Sequence, residues 1–540
     1  MNTLVTWILS LGVAVSSLLA SRSLMHYFQL ESYQFAGYFR TLRRNWKRAV
    51  LPGLIMTVYL TLLLLVHRSV DRAVADNGFL VLLVALAAFG LAVLGGMWCR
   101  GLLQVQKAKK PFVVTMRVKR TYIVSMIVFT LLIALAAFLL PGEEPKLYLL
   151  GLFPLVMPLW IALGGLCAWP VEKLVSEMYF RDAQKKLAQR PDLIKIGITG
   201  SYGKTSVKFI LGTILQEKFQ VLVTPSSFNT PMGVTRIIRE KLRPAHQVFV
   251  AEMGARHVGD IKELCRLVHP HHGVLTSVGP QHLDTFKTIE RIKGTKYELM
   301  DAIPDGGCCF FPDDGAICRE LFDKTRKEKR LCALHGADDA DVWASDVTVS
   351  PAGSAFTLHT IGDSIRCETK LLGEHNIQNV LLAATVALHL GMTLRQVARG
   401  ISRIQPVEHR LQLIPSAGVT IIDDAFNSNP NGAKAALKVL REFTGRRIII
   451  TPGMVELGAG EEQFNREFGR FMAECVDIAI LVGRKHTAPI AAGLREGGFP
   501  EENLYVVASL DEATALLRQL GQPGDVALFE NDLPDNYSEN

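Results

Sequence analysis

A chain of 540 residues exceeds what one ordinary core supports, so two to four domains are expected. Its nine cysteines include no CxxC pair, which disfavours both a zinc site and a disulfide framework and suits a reducing compartment. The net charge of +8 does not point to nucleic acid, because much of the positive excess falls in two loops between apolar segments, where membrane topology accounts for it.

Five stretches reach or approach the ~20 apolar residues that a helix needs to cross a hydrocarbon core: 3–21, 49–66, 78–98, 121–140 and 147–169. The second is short, and the fifth carries Pro154 and Pro158. Five such runs with almost no internal charge disfavour the alternative, buried helices of a water-soluble protein. Cytoplasmic loops retain Lys and Arg. The loop after the first run holds Arg22, Arg40, Arg43, Arg44, Lys47 and Arg48, and the loop after the third holds Arg100, Lys107, Lys109, Lys110, Arg117, Lys119 and Arg120. Both are expected inside. The loop with Arg68 and Arg72 balanced by Asp71 and Asp76, and the loop with only Glu143, Glu144 and Lys146, are expected outside. The opening MNTLVTW has no basic region and Arg22 follows the apolar run, which argues against a cleaved signal peptide. A five-helix transmembrane domain over 1–170 is therefore expected in the cell membrane, multi-pass, with the N-terminus outside and the rest of the chain cytoplasmic. Residues 171–190 read as an amphipathic connector along the membrane surface or as a solvated linker.

From Lys195 onward, strand-like apolar runs alternate with helix-like ones, the pattern of a parallel sheet with crossover helices. KIGITG leads into GKTSVKFILGTILQ, then QVLVTP, a helix near 233–241, QVFVAEMG, another helix, and GVLTSVG. This predicts a mononucleotide-binding layout. Residues 199–206, TGSYGKTS, join the first strand to the first helix, where unpaired N–H groups and the helix dipole favour phosphate. Gly200 and Gly203 let the backbone, with Ser201 and Tyr202 between them, close round an anion. Lys204 offers a point charge, and Thr205 or Ser206 a hydroxyl for Mg²⁺. The long P-loop would need Gly at 198, where Ile198 stands; the shorter G-x-x-G-K-[ST] form remains.

TGSYGKTS resembles the TGTNGKT loop of the Mur ligases and folylpolyglutamate synthetases, and the resemblance continues in order. It runs through FNTPMG (228–233), AEMGA (251–255), SVGPQHLDTF (277–286), IKGTKYELMDAIP (292–304), LLGEHNIQNVLLAA (371–384), EHRLQ (408–412), DDAFNSNP (423–430) and PGMVELG (452–458). The last two are most similar to the branch that adds D-alanyl-D-alanine to the muramoyl tripeptide.

The resemblance implies an ATP-dependent amide ligase. A carboxylate is phosphorylated, an amine attacks the acyl phosphate, and ADP, phosphate and an amide result; the partners are a carboxylate acceptor and an amino acid or dipeptide amine. It implies a P-loop central domain over 191–411 and a Rossmann-like domain over 412–540, where VTIIDDA, RRIIITPG, DIAILVG, LYVVAS and DVALFE repeat strand and helix. It implies that Glu252 and His282, with Thr205, hold Mg²⁺. Lys296 would be the carbamylated lysine that holds a second Mg²⁺. His375, Asn376 and Asn379 would contact the nucleotide, Arg410 the γ-phosphate and Asp424 the ribose. Asn229, Thr230, Asn427 and Asn429 fall in motifs expected to meet substrate. From the residues alone, Glu252 ends an apolar strand where α/β ligands gather, but His282 reads as a loop histidine and Lys296 as a solvated helix lysine. At a helix start, the 375–379 amides could equally be caps. His269, His271 and His272 read as turn residues, Cys308 and Cys309 as core packing, and the absence of G-x-G-x-x-G disfavours a dinucleotide site.

Two departures bear on substrate. Only the connector separates the last apolar run from the phosphate loop, leaving no room for a UDP-sugar domain there, and ENDLPDNY (530–537) replaces the usual K-G-S-R-like terminal motif. An envelope precursor, peptidoglycan-related and in the bolder reading lipid-linked, is the expected substrate class, with an envelope-synthesis complex as a further partner. The competing reading is a transporter or flippase driven by an ATPase domain, which the nearly charge-free apolar runs disfavour.

Overall fold

A computed structural model describes residues 3–103, 111–226, 228–336, 339–414, 418–426 and 428–533. They fall into two compact units, one ending at Glu177 and the other running from Met178 to Leu533.

The first unit is helical. Five spans are long and apolar enough to cross a bilayer: Thr3–Ala20, Trp46–Ala73, Gly78–Leu102, Met116–Leu139 and the broken run beginning at Glu143. The break is a 3₁₀ turn at Phe153–Val156, where Pro154 removes a backbone donor and Pro158 follows. The outward face of Trp46–Ala73 is lined by exposed Leu54, Val58, Leu62 and Val66, four residues apart, while Met56, Leu60 and Leu64 are buried. An apolar stripe on each side of one helix suits a lipid exterior round a packed interior. Glycines allow close contact within it: a Cβ at Gly96 would lie 2.5 Å from the Ser16 carbonyl oxygen, and one at Gly53 2.6 Å from that of Pro154. The first basic loop is not a loop throughout, since Arg22–Leu30 and Phe35–Arg44 are helices. In the second, Arg120 makes two charge-assisted bonds to buried Glu172, the Nη2–Oε2 one at 2.9 Å; Lys107, Lys109 and Lys110 lie outside the described residues.

The second unit holds two sheets. The larger contains β1 (Ile194–Thr199), β2 (Val221–Val223), β3 (Val248–Glu252), β4 (His272–Leu275), β5 (Cys309–Asp313), β6 (Lys329–Ala333), β7 (Val342–Ser350), β8 (Gly353–Thr360) and β9 (Asp363–Thr369), in the order β2-β3-β1-β4-β5-β6-β7-β8-β9. Strands up to β7 pair in parallel and β7-β8-β9 form an antiparallel meander. Successive residues of β3 feed opposite cores, Val248 and Val250 one, Phe249 and Ala251 the other. Helices cover both faces, so the strand reads as an unbroken apolar run. The connector is helical as expected, within Met157–Ala188. Its Phe180, Ala183 and Leu187 are buried in the core of this unit, so here its apolar face meets protein.

The smaller sheet contains β10 (Gln412–Ile414), β11 (Thr420–Asp424), β12 (Arg447–Thr451), β13 (Ile478–Val482), β14 (Leu504–Val507) and β15 (Val526–Glu530), in the order β10-β11-β15-β12-β13-β14. All pairs are parallel except β10 with β11. Residues 534–537 of ENDLPDNY lie outside the described residues.

Candidate active site

β1 is flanked by β3 and β4, with Ile198 opposite Glu252 and Thr199 opposite Leu275. This register brings the turn after β1, the carboxylate ending β3 and the segment after β4 to one edge. The turn is Gly200–Gly203, followed by the helix Lys204–Leu215. Gly200 (φ +153°) and Gly203 (φ +78°) adopt conformations that disfavour a side chain, and a Cβ at Gly200 would fall 2.1 Å from Thr276 Oγ1. The segment after β4 braces the turn. The Ser201 N–H donates to the Ser277 carbonyl (2.8 Å), the Tyr202 N–H to Ser277 Oγ (2.8 Å), and the Tyr202 hydroxyl to the Pro280 carbonyl (2.7 Å). The first N–H groups of the helix have no intrahelical acceptor.

Lys204 folds back over this turn, its Nζ donating to the carbonyls of Gly200 (2.7 Å) and Ser201 (2.9 Å). Burial brings the amine down to about 8, against the pull of Glu252. Thr205 Oγ1 donates to Glu252 Oε1 (3.2 Å), as does Asn229 Nδ2 (3.0 Å). The other carboxylate oxygen, Oε2, accepts from Lys208 Nζ at 2.9 Å. Burial alone would raise the Glu252 carboxyl, but the ammonium groups of Lys208 and Lys204 outweigh it and hold it below the ordinary range.

Arg410, 205 residues further along, places Nη2 3.5 Å from Thr205 Oγ1 and its guanidinium 4.5 Å from the centre of the Phe426 ring. Neighbouring contacts anchor its segment: His409 Nδ1 is 2.7 Å from Asp423 Oδ2, and the Leu411 N–H donates to Asp424 Oδ1 (3.2 Å). Asp424 stands opposite Glu530 in the β11–β15 register, and burial followed by that carboxylate pushes it up to about 7.

Lys296 lies on the helix Ile289–Ala302 and is 2% exposed, so it is not a solvated helix lysine. Burial lowers its amine well below the ordinary 10.5, and the Lys204 cation lowers it further. His282 Nδ1 lies 2.8 Å from Glu456 Oε2. Along the helix Lys204–Leu215, Ser206, Phe209 and Thr213 line a pocket with Leu371, Asn376 and Arg410. Asn376 Nδ2 donates to the Leu372 carbonyl (2.9 Å) and Asn379 Nδ2 to Asn376 Oδ1 (3.3 Å), while His375 is exposed.

Residues 198–387 match the Mur ligase middle domain, and residues 409–530 match the Mur ligase glutamate ligase domain. A Mycobacterium tuberculosis UDP-N-acetylmuramoyl-tripeptide–D-alanyl-D-alanine ligase is 33% identical over 358 residues, covering 62% of this chain and 69% of that protein. The chain belongs to the Mur ligase family.

The Escherichia coli ligase of the same name is 30% identical over 339 residues, covering 62% of this chain and 71% of that protein. Among solved structures, MurF from Acinetobacter baumannii aligns with a TM-score of 0.61 at 28% identity, over 67% of this chain and 79% of that one. MurF from Thermotoga maritima, determined with ADP, shares the fold with a TM-score of 0.60 at 23% identity, over 67% of this chain and 82% of that one. This Mur ligase is thus an ATP-dependent ligase of the MurF kind, and the transport reading finds no support in its relatives.

The sites expected of this Mur ligase distribute unevenly. Gly200 to Ser206, Glu252, Asn229 and Arg410 come together. Thr230 and Asn429 serve as helix N-caps, accepting from the Gly233 N–H (3.3 Å) and the Gly432 N–H (2.8 Å). Asn427 lies outside the described residues. His271 and His272 accept backbone N–H bonds from Lys195 (3.3 Å) and Cys308 (3.2 Å), as turn and strand-end residues do, and Cys308 and Cys309 are fully buried. Two site residues escaped the sequence reading. Lys208 had a signal, being a lone cation in the otherwise apolar VKFILGTIL one turn beyond Lys204. Glu456 stands inside the PGMVELG motif, but its partner is 174 residues away, so the motif did not name the contact.

Proposed function

We propose that this Mur ligase phosphorylates a carboxylate with ATP and joins it to an amine, extending a peptidoglycan precursor at the membrane. The observation that carries the reading is the convergence of Lys204, Thr205, Glu252 and Arg410 on one glycine-rich turn. The turn acts as the phosphate loop of a P-loop domain, and the smaller sheet as a Rossmann-like domain. Lys204 leaves its carbonyl partners for phosphate oxygens, and Arg410 adds a planar fork of donors to the γ-phosphoryl group. The pocket beside Ser206 takes the base, with the Asn376 and Asn379 amides on its edge, and Asp424 holds the ribose.

The donor set fits Mg²⁺. Thr205 and Glu252 offer hard oxygens, His282 a ring nitrogen, and Lys296 a buried amine. Burial favours the neutral amine, the form that adds CO₂, and the resulting carbamate would supply a further carboxylate. Mg²⁺, when bound, neutralises phosphate charge. The substrate carboxylate attacks the γ-phosphorus and ADP leaves. The amine then attacks the acyl carbon, phosphate leaves and the amine gives up a proton. The relatives' names specify a UDP-muramoyl-tripeptide and D-alanyl-D-alanine, and these are the first substrates to test. The five apolar spans cross the membrane with the N-terminus outside, so that the catalytic unit meets cytoplasmic ATP and the acceptor is lipid-linked.

The test is phosphate release by the full-length protein in bilayers, with UDP-muramoyl-tripeptide or its lipid-linked counterpart and D-alanyl-D-alanine, followed by mass analysis. Phosphate release that requires both substrates, with a product heavier by the dipeptide less one water, supports the reading. ATP hydrolysis indifferent to both would overturn it.

A further inference from the structure

His282 and Glu456 meet although 174 residues separate them, and both hold left-handed backbone conformations (φ +53° and +65°) that are unusual for residues with side chains. The His282 backbone is pinned there, its carbonyl accepting from Thr285 Oγ1 (2.9 Å) and the Phe286 N–H (3.0 Å). On the other side of the carboxylate, Arg256 Nη2 stands 3.9 Å from Glu456 Oε1. Arg256 follows Glu252 by four residues, so Glu456 reaches the segments that carry two of the proposed metal-holding side chains, Glu252 and His282.

Building on the proposed metal-holding role of His282, we infer that Glu456 is a positioning residue for it: the carboxylate accepts the Nδ1–H and leaves Nε2, with its lone pair, for the divalent cation. An ionised carboxylate can only accept, so the 2.8 Å contact fixes which nitrogen carries the proton. A ring held in that tautomer presents its free nitrogen to a metal. The smaller-sheet half of the unit thereby takes part in metal binding without a ligand of its own, and metal affinity is coupled to the docking of the 453–460 segment.

Mn²⁺ serves as the probe, with free Mn²⁺ read by electron paramagnetic resonance on the full-length protein in nanodiscs, with ADP present. Glu456→Ala is expected to weaken Mn²⁺ binding about tenfold or more, and Glu456→Gln, whose neutral amide oxygen accepts less strongly, by a smaller factor. ADP affinity in EDTA should match the parent protein in both. His282→Ala combined with Glu456→Ala should bind Mn²⁺ no more weakly than His282→Ala alone, because the carboxylate acts through the ring. Unchanged Mn²⁺ affinity in Glu456→Ala, beside a loss in His282→Ala, would overturn the inference alone. No loss in His282→Ala would overturn the metal assignment and the inference with it. If Glu456→Ala does not fold, Glu456→Gln decides: unchanged affinity there counts against the inference.

Discussion

Lys208 Nζ lies 2.9 Å from Glu252 Oε2 in an ion pair whose side chains are 0% and 1% exposed. The pair sits beneath the glycine-rich turn and fixes the orientation of the carboxylate whose other oxygen meets Thr205 and Asn229. Removing one partner of such a pair strands a buried charge, which typically costs about 3–5 kcal/mol.

Lys208→Met is accordingly expected to destabilise the detergent-solubilised protein by an amount in that range and to abolish amide synthesis. Lys208→Met with Glu252→Gln should recover most of the stability, since no unpaired charge remains, but none of the activity. Thermal melting of the three variants checks this. Additive losses in the double variant would contradict the coupling.

Lys204→Ala should leave the fold intact and reduce turnover by about 10² or more, as do other losses of a preorganised charge facing a reacting group. The pH dependence separates its charge from its bulk. With its amine brought down to about 8, Lys204 is a cation below that pH and neutral above it. Nucleotide affinity measured in EDTA should therefore fall as pH rises through 8, and Lys204→Ala should lack that limb. An identical high-pH fall in both proteins would assign it to another group.

Lys296→Ala should inactivate the enzyme, and short carboxylic acids should partly restore it, because the group required beside Mg²⁺ is a carboxylate. Activity retained in the alanine variant would remove the carbamate from the mechanism. Intact-mass measurement at high and low CO₂ offers an independent check.

Holding enzyme and acceptor on one surface raises their effective concentration without any new contact. With matched peptide carboxylates, the bilayer-embedded protein should turn over the lipid-linked acceptor at a kcat/KM at least about tenfold above that of the soluble UDP-linked one. Equal efficiency on both would mean that the helices only localise the enzyme.

The sequence alone determined the family, the presence of five apolar runs ahead of an α/β region, and the composition of the glycine-rich turn. Those signals are local: apolar runs long enough for a bilayer, glycines spaced to wrap an anion, and a cation and hydroxyl following directly in the helix. The break in the fifth apolar run was legible in Pro154 and Pro158, since a missing N–H acts where it stands. The tertiary structure decided what depends on distance. Lys296 looks like an ordinary helix lysine until the packing round Ile289–Ala302 buries it, and burial lowers its amine's affinity for a proton. The 172–190 stretch looks amphipathic, but only the core shows that Phe180, Ala183 and Leu187 turn toward protein. The pairings Lys208–Glu252 and His282–Glu456 join residues 44 and 174 positions apart. A charge in a sequence does not name its partner; the sheet register and the docking of the two halves of the catalytic unit do.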